Sequence, residues 1–251
     1  MIHFIGAGSG AEDLITVRGQ RLLKEADVII YAGSLVNEGH LRMAKEGCRI
    51  LNSASMTLEE VMDEMKEAEK AGKMTVRLHT GDPSIYGAHK EQMDLLDQAG
   101  IPYEVVPGVS SFCGAAAALK AEYTLPDVSQ TVIITRMAGR TPVPPLEEIS
   151  LLAEHQATMV IFLSTGMVEE LTQRLLAGGY EEDTPAAIVY KATWPEEKTF
   201  RGTVGTIAKI AKENNITKTA LILVGNFLGN SYGRSKLYDP GFSHEFREAK
   251  K

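Results

Sequence analysis

"HTGDPSIYG", residues 79–87, follows the apolar-leaning run Met74-Thr75-Val76-Arg77-Leu78 and precedes a stretch with helical spacing. A strand that ends in Gly-Asp-Pro and hands over to a helix is half of a β/α unit, and the rest of the chain decides whether the turn is more than a turn. Gly-Asp-Pro is good turn chemistry anywhere. At a strand's carboxyl end it has a second use: Gly81 lets backbone approach a ligand, and Asp82 can meet a polar or cationic part of it.

Working outward, the same alternation runs the length of the chain. Ile2 to Ile5, Val28 to Tyr31, Met74 to Leu78 and Tyr103 to Val106 read as strands. Leu14 to Ala26, Thr57 to Ala71 and Ser84 to Ala99 carry apolar residues at a period near 3.6 and read as helices. Thr57 with Glu60 three residues on has the form of a capping box, and Gly100 closes the helix before it. The pattern restarts after Gly114 to Gln130. Thr131 to Thr135, Thr158 to Leu163, Ala186 to Tyr190 and Ala220 to Val224 read as strands, and segments 145–154, 166–177 and 203–214 as helices. The expectation is two α/β domains, 1–116 and 117–251, with largely parallel sheets and a cleft between them where a ligand binds.

Three loops at expected carboxyl strand ends are rich in small residues. They are Gly6-Ala7-Gly8-Ser9-Gly10-Ala11-Glu12, Thr80-Gly81-Asp82-Pro83 and Pro107-Gly108-Val109-Ser110-Ser111. Gly6-x-Gly8-x-x-Ala11 fits the dinucleotide fingerprint, but the acid expected at the end of the second strand is missing: Tyr31-Ala32-Gly33-Ser34 stands there. Neither a Walker-type lysine nor a Gly-x-Ser-x-Gly elbow occurs.

The bulk properties narrow the field further. With 251 residues, 44% hydrophobic and 24% charged, the chain is ordinary for a soluble globular protein. A net charge of −7 argues against nucleic acid as a partner. No apolar run spans a bilayer and no leader is read at the N-terminus, so no membrane role is expected and a cytoplasmic location fits. Cys48 and Cys113 have no partner at ligand spacing and the histidines are scattered, so no metal site is expected.

"FIGAGSGAEDLITVRG", "RLHTGDPSIYG" and "VVPGVSSF", in that order, resemble the tetrapyrrole (precorrin-type) methyltransferases. "DVIIYAGSLV", "TRMAGRTPVP", "IFLSTGMVEEL" and "LYDPGFSHEFR" resemble the branch that methylates ring carbon 11 of precorrin-4 or cobalt-precorrin-4 in cobalamin biosynthesis. The resemblance covers essentially the whole chain. It implies two α/β domains of the tetrapyrrole methylase type with an active-site cleft between them, S-adenosylmethionine (SAM) as methyl donor, S-adenosylhomocysteine as product, a tetrapyrrole substrate and a homodimer.

The resemblance also implies site residues. Thr80, Gly81, Asp82 and Ile85 would line the SAM site, Ser110 and Ser111 would form a second contacting pair, and Ser164 and Ala192 would approach the adenine from the other domain. Ser9 stands where the family has a proline bordering SAM. Relatives acting on uroporphyrinogen carry an Asp where this chain has Ala32-Gly33, so their proton-transfer acid is absent and no catalytic residue is assigned. Arg136 and Arg140 are expected to clamp the macrocycle's acetate and propionate groups. His79 is expected to be a strand-end residue with a satisfied hydrogen bond, and Met137 and Met167 to pack against core or ring. Rival readings are methylation at another ring carbon or of uroporphyrinogen, a nicotinamide-dependent oxidoreductase, and a non-catalytic carrier.

Overall fold

In a computed structural model describing residues 1–250, the chain forms two compact units. The first comprises Met1–Ala115 together with Lys191–Glu197, and the second comprises Ala116–Tyr190 and the residues from Lys198 onward.

The first unit contains strands β1 (Ile2–Gly6), β2 (Val28–Tyr31), β3 (Arg49–Asn52), β4 (Thr75–His79) and β5 (Tyr103–Val106), in the order β3-β2-β4-β1-β5 and all parallel. Burial on both faces explains why β1 reads as a near-continuous apolar run. Ile5, Ile29, Val76 and Leu78 pack on one face with Leu22 and Leu23 of helix α1 (Val17–Glu25). Ile2, Phe4 and Ile30 pack on the other with Val61, Met62 and Met65 of α2 (Leu58–Lys70) and Leu96 of α3 (Lys90–Gln98).

Sequence chemistry sets the helix ends. The capping box of α2 is complete: Glu60 N donates to Thr57 Oγ1 at 3.3 Å and Thr57 N to Glu60 Oε2 at 2.7 Å. After α3, Gly100 takes φ +64 while its N–H bonds Asp97 O and Ile101 N bonds Leu96 O, the two bonds of a Schellman stop. Helix α3 starts at Lys90, not at Ser84, because residues 84–89 form turns with Tyr86 and Ala88 at φ +54 and +47. Strand β3 was not expected. It is an edge strand with mostly exposed side chains, so it lacks the apolar signal of its neighbours.

The second unit contains β6 (Val132–Arg136), β7 (Thr158–Phe162), β8 (Pro185–Tyr190), β9 (Lys198–Thr203) and β10 (Ala220–Val224), ordered β6-β7-β10-β8-β9. Only β6 and β7 pair in parallel; β10 runs antiparallel to both β7 and β8, and β9 antiparallel to β8. The expected parallel sheet is corrected here, because Lys191–Glu197 is too short for a parallel crossover and makes β8 and β9 a hairpin. Helices α5 (Ile149–Ala153), α6 (Val168–Ala177) and α7 (Ile207–Glu213) bury Ile149, Leu171, Leu175 and Ile207 against Met159, Ile161, Ile188 and Ile222. Helix α4 (Ser111–Leu119) carries the chain from the first unit into the second.

Candidate active site

Because β4, β1 and β5 are neighbours in an all-parallel sheet, the loops after them emerge side by side at one edge. The chain leaves β1 toward β2 and leaves β4 toward β5, in opposite senses, which places these loops at a switch point of the sheet. The loops pack backbone on backbone. Gly8 N donates to Gly81 O at 3.2 Å and Gly81 N to Gly8 O at 2.9 Å, and a Cβ added to Gly108 would lie 2.1 Å from Gly81 O. A Cβ on Gly6 would fall 2.5 Å from the same oxygen. The glycines read as room for a ligand are thus first required by one another.

Asp82 holds this assembly together. Its Oδ2 accepts from Gly108 N at 2.8 Å, and its Oδ1 accepts from the backbone N–H and hydroxyl of Ser84. Burial works against ionisation of the carboxyl, but the hydrogen bonds from Ser84 and Gly108 outweigh it and hold the group below the ordinary carboxylate range. Both Asp82 oxygens are therefore engaged within the protein, and its first task is to tie the loop after β4 to the loop after β5.

Thr80 and Ser110 lie in the same assembly. The hydroxyl of Thr80 is buried with no hydrogen-bond partner, and Ser110 is buried just before α4 begins at Ser111. Gly81, at φ +61, sits so that a Cβ would meet Ser110 Cα and Ser111 N at 3.5 Å. Ile85 is half-buried in the turn that follows. Beneath the loops, His79 ends β4 at 2% exposure; its ring makes the expected hydrogen bond, to the backbone of Gly87, while Nε2 has no partner. Burial first, then the charges of Arg77 and His89, push its pKa down to about 3 against an opposing bond to the backbone of Gly87.

Ser9 is buried, and its hydroxyl lies 3.0 Å from Thr193 Oγ1. Ala192, expected with the second half of the chain, counts with the first unit: it is buried, and its carbonyl would be 2.9 Å from a Cβ on Gly10.

In the second unit, Arg136 ends β6 and turns its guanidinium onto its own loop. It donates to Met137 O at 3.1 Å, Thr141 O at 3.2 Å and Pro142 O at 2.7 Å. Arg140, at the tip of that loop, is exposed. Ser164 is fully buried; its hydroxyl donates to Phe162 O at 2.7 Å and accepts from Met137 N at 2.9 Å, joining the loops after β6 and β7. Met137 packs in the core, and Met167 lies near Gly139. The residue that β7 presents outward is Leu163, 63% exposed and held at φ +53. Sequence reasoning passed over Leu163, Thr193 and Trp194; a lone exposed leucine on left-handed backbone leaves no periodic trace.

No three His, Cys, Asp or Glu side chains among the described residues are grouped to hold a metal ion. Among the same residues, no helix is long and apolar enough to cross a membrane.

A parallel sheet with convergent glycine loops and a buried, unpartnered hydroxyl, that of Thr80, is the arrangement in which α/β proteins bind small molecules. The family model for tetrapyrrole (corrin/porphyrin) methylases matches residues 1–208. The chain therefore belongs to the tetrapyrrole methylase family. It is 55% identical over 251 residues to a cobalt-precorrin-4 C(11)-methyltransferase of Methanocaldococcus jannaschii, covering 100% of this chain and 97% of that one. Among solved structures, it matches the cobalamin biosynthetic enzyme cobalt precorrin-4 methyltransferase, CbiF, with a TM-score of 0.89 and 48% identity, covering 91% of this chain and 96% of that one. It also matches a uroporphyrin-III C-methyltransferase from Thermus thermophilus complexed with S-adenosyl homocysteine, with a TM-score of 0.75 and 25% identity, covering 90% of this chain and 92% of that one.

Proposed function

We propose that this protein transfers a methyl group from SAM to carbon 11 of cobalt-precorrin-4 or precorrin-4 in cobalamin biosynthesis, working as a cytoplasmic homodimer. The observation that carries the reading is the full-length likeness to a relative of that name, at 55% identity. The site suits the donor. A buried, unpartnered Thr80 hydroxyl and the Ser110–Ser111 start of α4 offer the hydrogen bonds that an amino acid or ribose end needs.

In this reading Thr80, Gly81, Ile85, Ser110 and Ser111 hold SAM, with Ser9 and Ala192 on the loop after β1 and the segment beside it. Ser164 shapes the loop after β7, and Leu163 is the apolar face it offers. When bound, SAM supplies an activated methyl on a sulfonium, so no covalent enzyme nucleophile is needed. The protein's contribution is placement, a class of effect worth up to about 7–11 kcal/mol. Asp82 contributes by fixing the loops in which the contacts lie. Arg140 pairs with a carboxylate of the macrocycle, and Arg136 sets the loop that presents it.

The test is turnover of precorrin-4, with and without cobalt, using carbon-labelled SAM and mass spectrometry of the product. A single labelled methyl at carbon 11 is the expected result. Label at another carbon, or none, overturns the assignment, and preference for one substrate form fixes which pathway the enzyme serves.

A further inference from the structure

The segment Lys191–Glu197, "KATWPEE", joins β8 to β9 and counts with the first unit. Its backbone is strained: Thr193 sits at φ +66 and Lys191 at φ +47. A β-branched residue in the left-handed region is an outlier that persists only where its surroundings over-determine it. At Thr193 those surroundings are a loop of the site. Thr193 Oγ1 accepts from Ala11 N at 3.1 Å and lies 3.0 Å from Ser9 Oγ, so one hydroxyl grips the loop after β1 on both sides of Gly10. The Thr193 N–H is itself fixed, donating to Glu197 Oε2 at 2.6 Å.

Gly10 is enclosed from two further directions. A Cβ there would lie 2.1 Å from Trp194 Cδ1, so the indole rests on the bare glycine, and Gly10 O accepts from Asn37 Nδ2 at 2.8 Å. Gly114 of α4 backs the same contact: a Cβ on it would reach Ser9 Oγ at 2.9 Å and Thr193 Cγ2 at 3.1 Å. A turn whose only task was to link two strands would take glycine or asparagine at φ +66 and carry no hydroxyl.

We propose that Thr193 is a positioning residue for methyl transfer: its hydroxyl fixes Ser9–Ala11 at the carboxyl end of β1, with Trp194 as a lid on Gly10, so that the loop is preformed for the sulfonium donor. The inference rests on the proposed reading that this loop borders SAM. Thr193 touches neither reactant, and its effect reaches the donor through the loop.

The experiment is calorimetric titration of S-adenosylhomocysteine into the full-length protein, wild type and variants, with KM measured for both substrates. Thr193→Val keeps the shape and removes both hydrogen bonds, and should weaken S-adenosylhomocysteine binding about tenfold. The KM for the tetrapyrrole should stay within about twofold, because the loop's order affects only the donor. Thr193→Ser retains the hydroxyl and should bind within about twofold of wild type. Ser9→Ala removes one bond from the loop side and should weaken binding about threefold, which keeps the test decisive if Thr193→Val does not fold. A Thr193→Val protein that melts earlier yet binds the product as wild type does, or loses both substrates equally, overturns the inference, as does unchanged affinity in Ser9→Ala. Wild-type protein that takes up no S-adenosylhomocysteine sinks the functional reading as well, and that result is separate from any difference among the variants.

Discussion

The loops after β4, β1 and β5 and the loop after β6 solve one problem by opposite means. In the first unit, order comes from missing side chains: Gly6 and Gly108 approach the Gly81 carbonyl at distances no Cβ could share, and Gly81 itself sits at φ +61. In the second unit, order comes from side chains. One guanidinium, that of Arg136, gathers three carbonyls, and one hydroxyl, that of Ser164, spans two loops. The first design tolerates no addition and the second tolerates no loss. A residue that looks ready for a ligand in sequence can therefore be fully occupied in the fold, as Arg136 is.

The sharpest way to break the comparison is Gly108→Ala. The new methyl meets a backbone carbonyl that cannot move aside, so a cost of about 3 kcal/mol or more is expected, with donor binding lost. A variant that melts and binds like wild type would show that the glycine contact is not what orders these loops.

Next in size are Arg136→Ala and Arg140→Ala, each expected to raise the tetrapyrrole KM about tenfold with SAM affinity nearly unchanged. If Arg136 acts by presenting Arg140, the double variant should lose little more than either single one. Multiplying effects would instead mean two independent contacts. Arg136→Lys should not recover the loss, since an ammonium cannot span three carbonyls as the planar fork does.

The most gradual effect concerns the histidine beneath the first region. His79 stays neutral down to about pH 3 in the folded protein, while an unfolded histidine takes its proton near pH 6.5. The unfolded chain thus binds more protons across that window, and stability falls as pH drops through it. A slope of about 1 kcal/mol per pH unit from this residue is expected in denaturant melts. Burial lowers the pKa of His40 and His89 too, adding in the same direction. His79→Gln should flatten the slope, and an equal slope in that variant would mean the ring is not held neutral by its surroundings.

Much of this was legible in the sequence, for identifiable reasons. The buried strands β1, β2 and β8 announce themselves as apolar runs, β4 shows through Val76, Leu78 and the Gly-Asp-Pro turn that follows it, and Thr57/Glu60 and Gly100 mark helix ends by chemistry that acts within a few residues. Edge strands β3 and β9 did not, since their exposed side chains carry no alternation. The three glycine loops do converge, as their spacing after strands suggests, but sequence could not say whether their closest neighbours were ligand or chain. Thr193 and Trp194 left no signal at all, because their partners Ser9 and Gly10 are more than 180 residues away along the chain.

The membership of Lys191–Glu197 in the first unit has a consequence for how the protein is made. When a ribosome has released residues 1–115, every strand of the first sheet exists, yet nothing covers Gly10 and nothing grips Ser9. Those contacts arrive only once the hairpin of the second sheet has been synthesised. The loop after β1 is therefore secured late, and a nascent chain halted midway holds its first sheet with Ser9–Ala11 still ungripped.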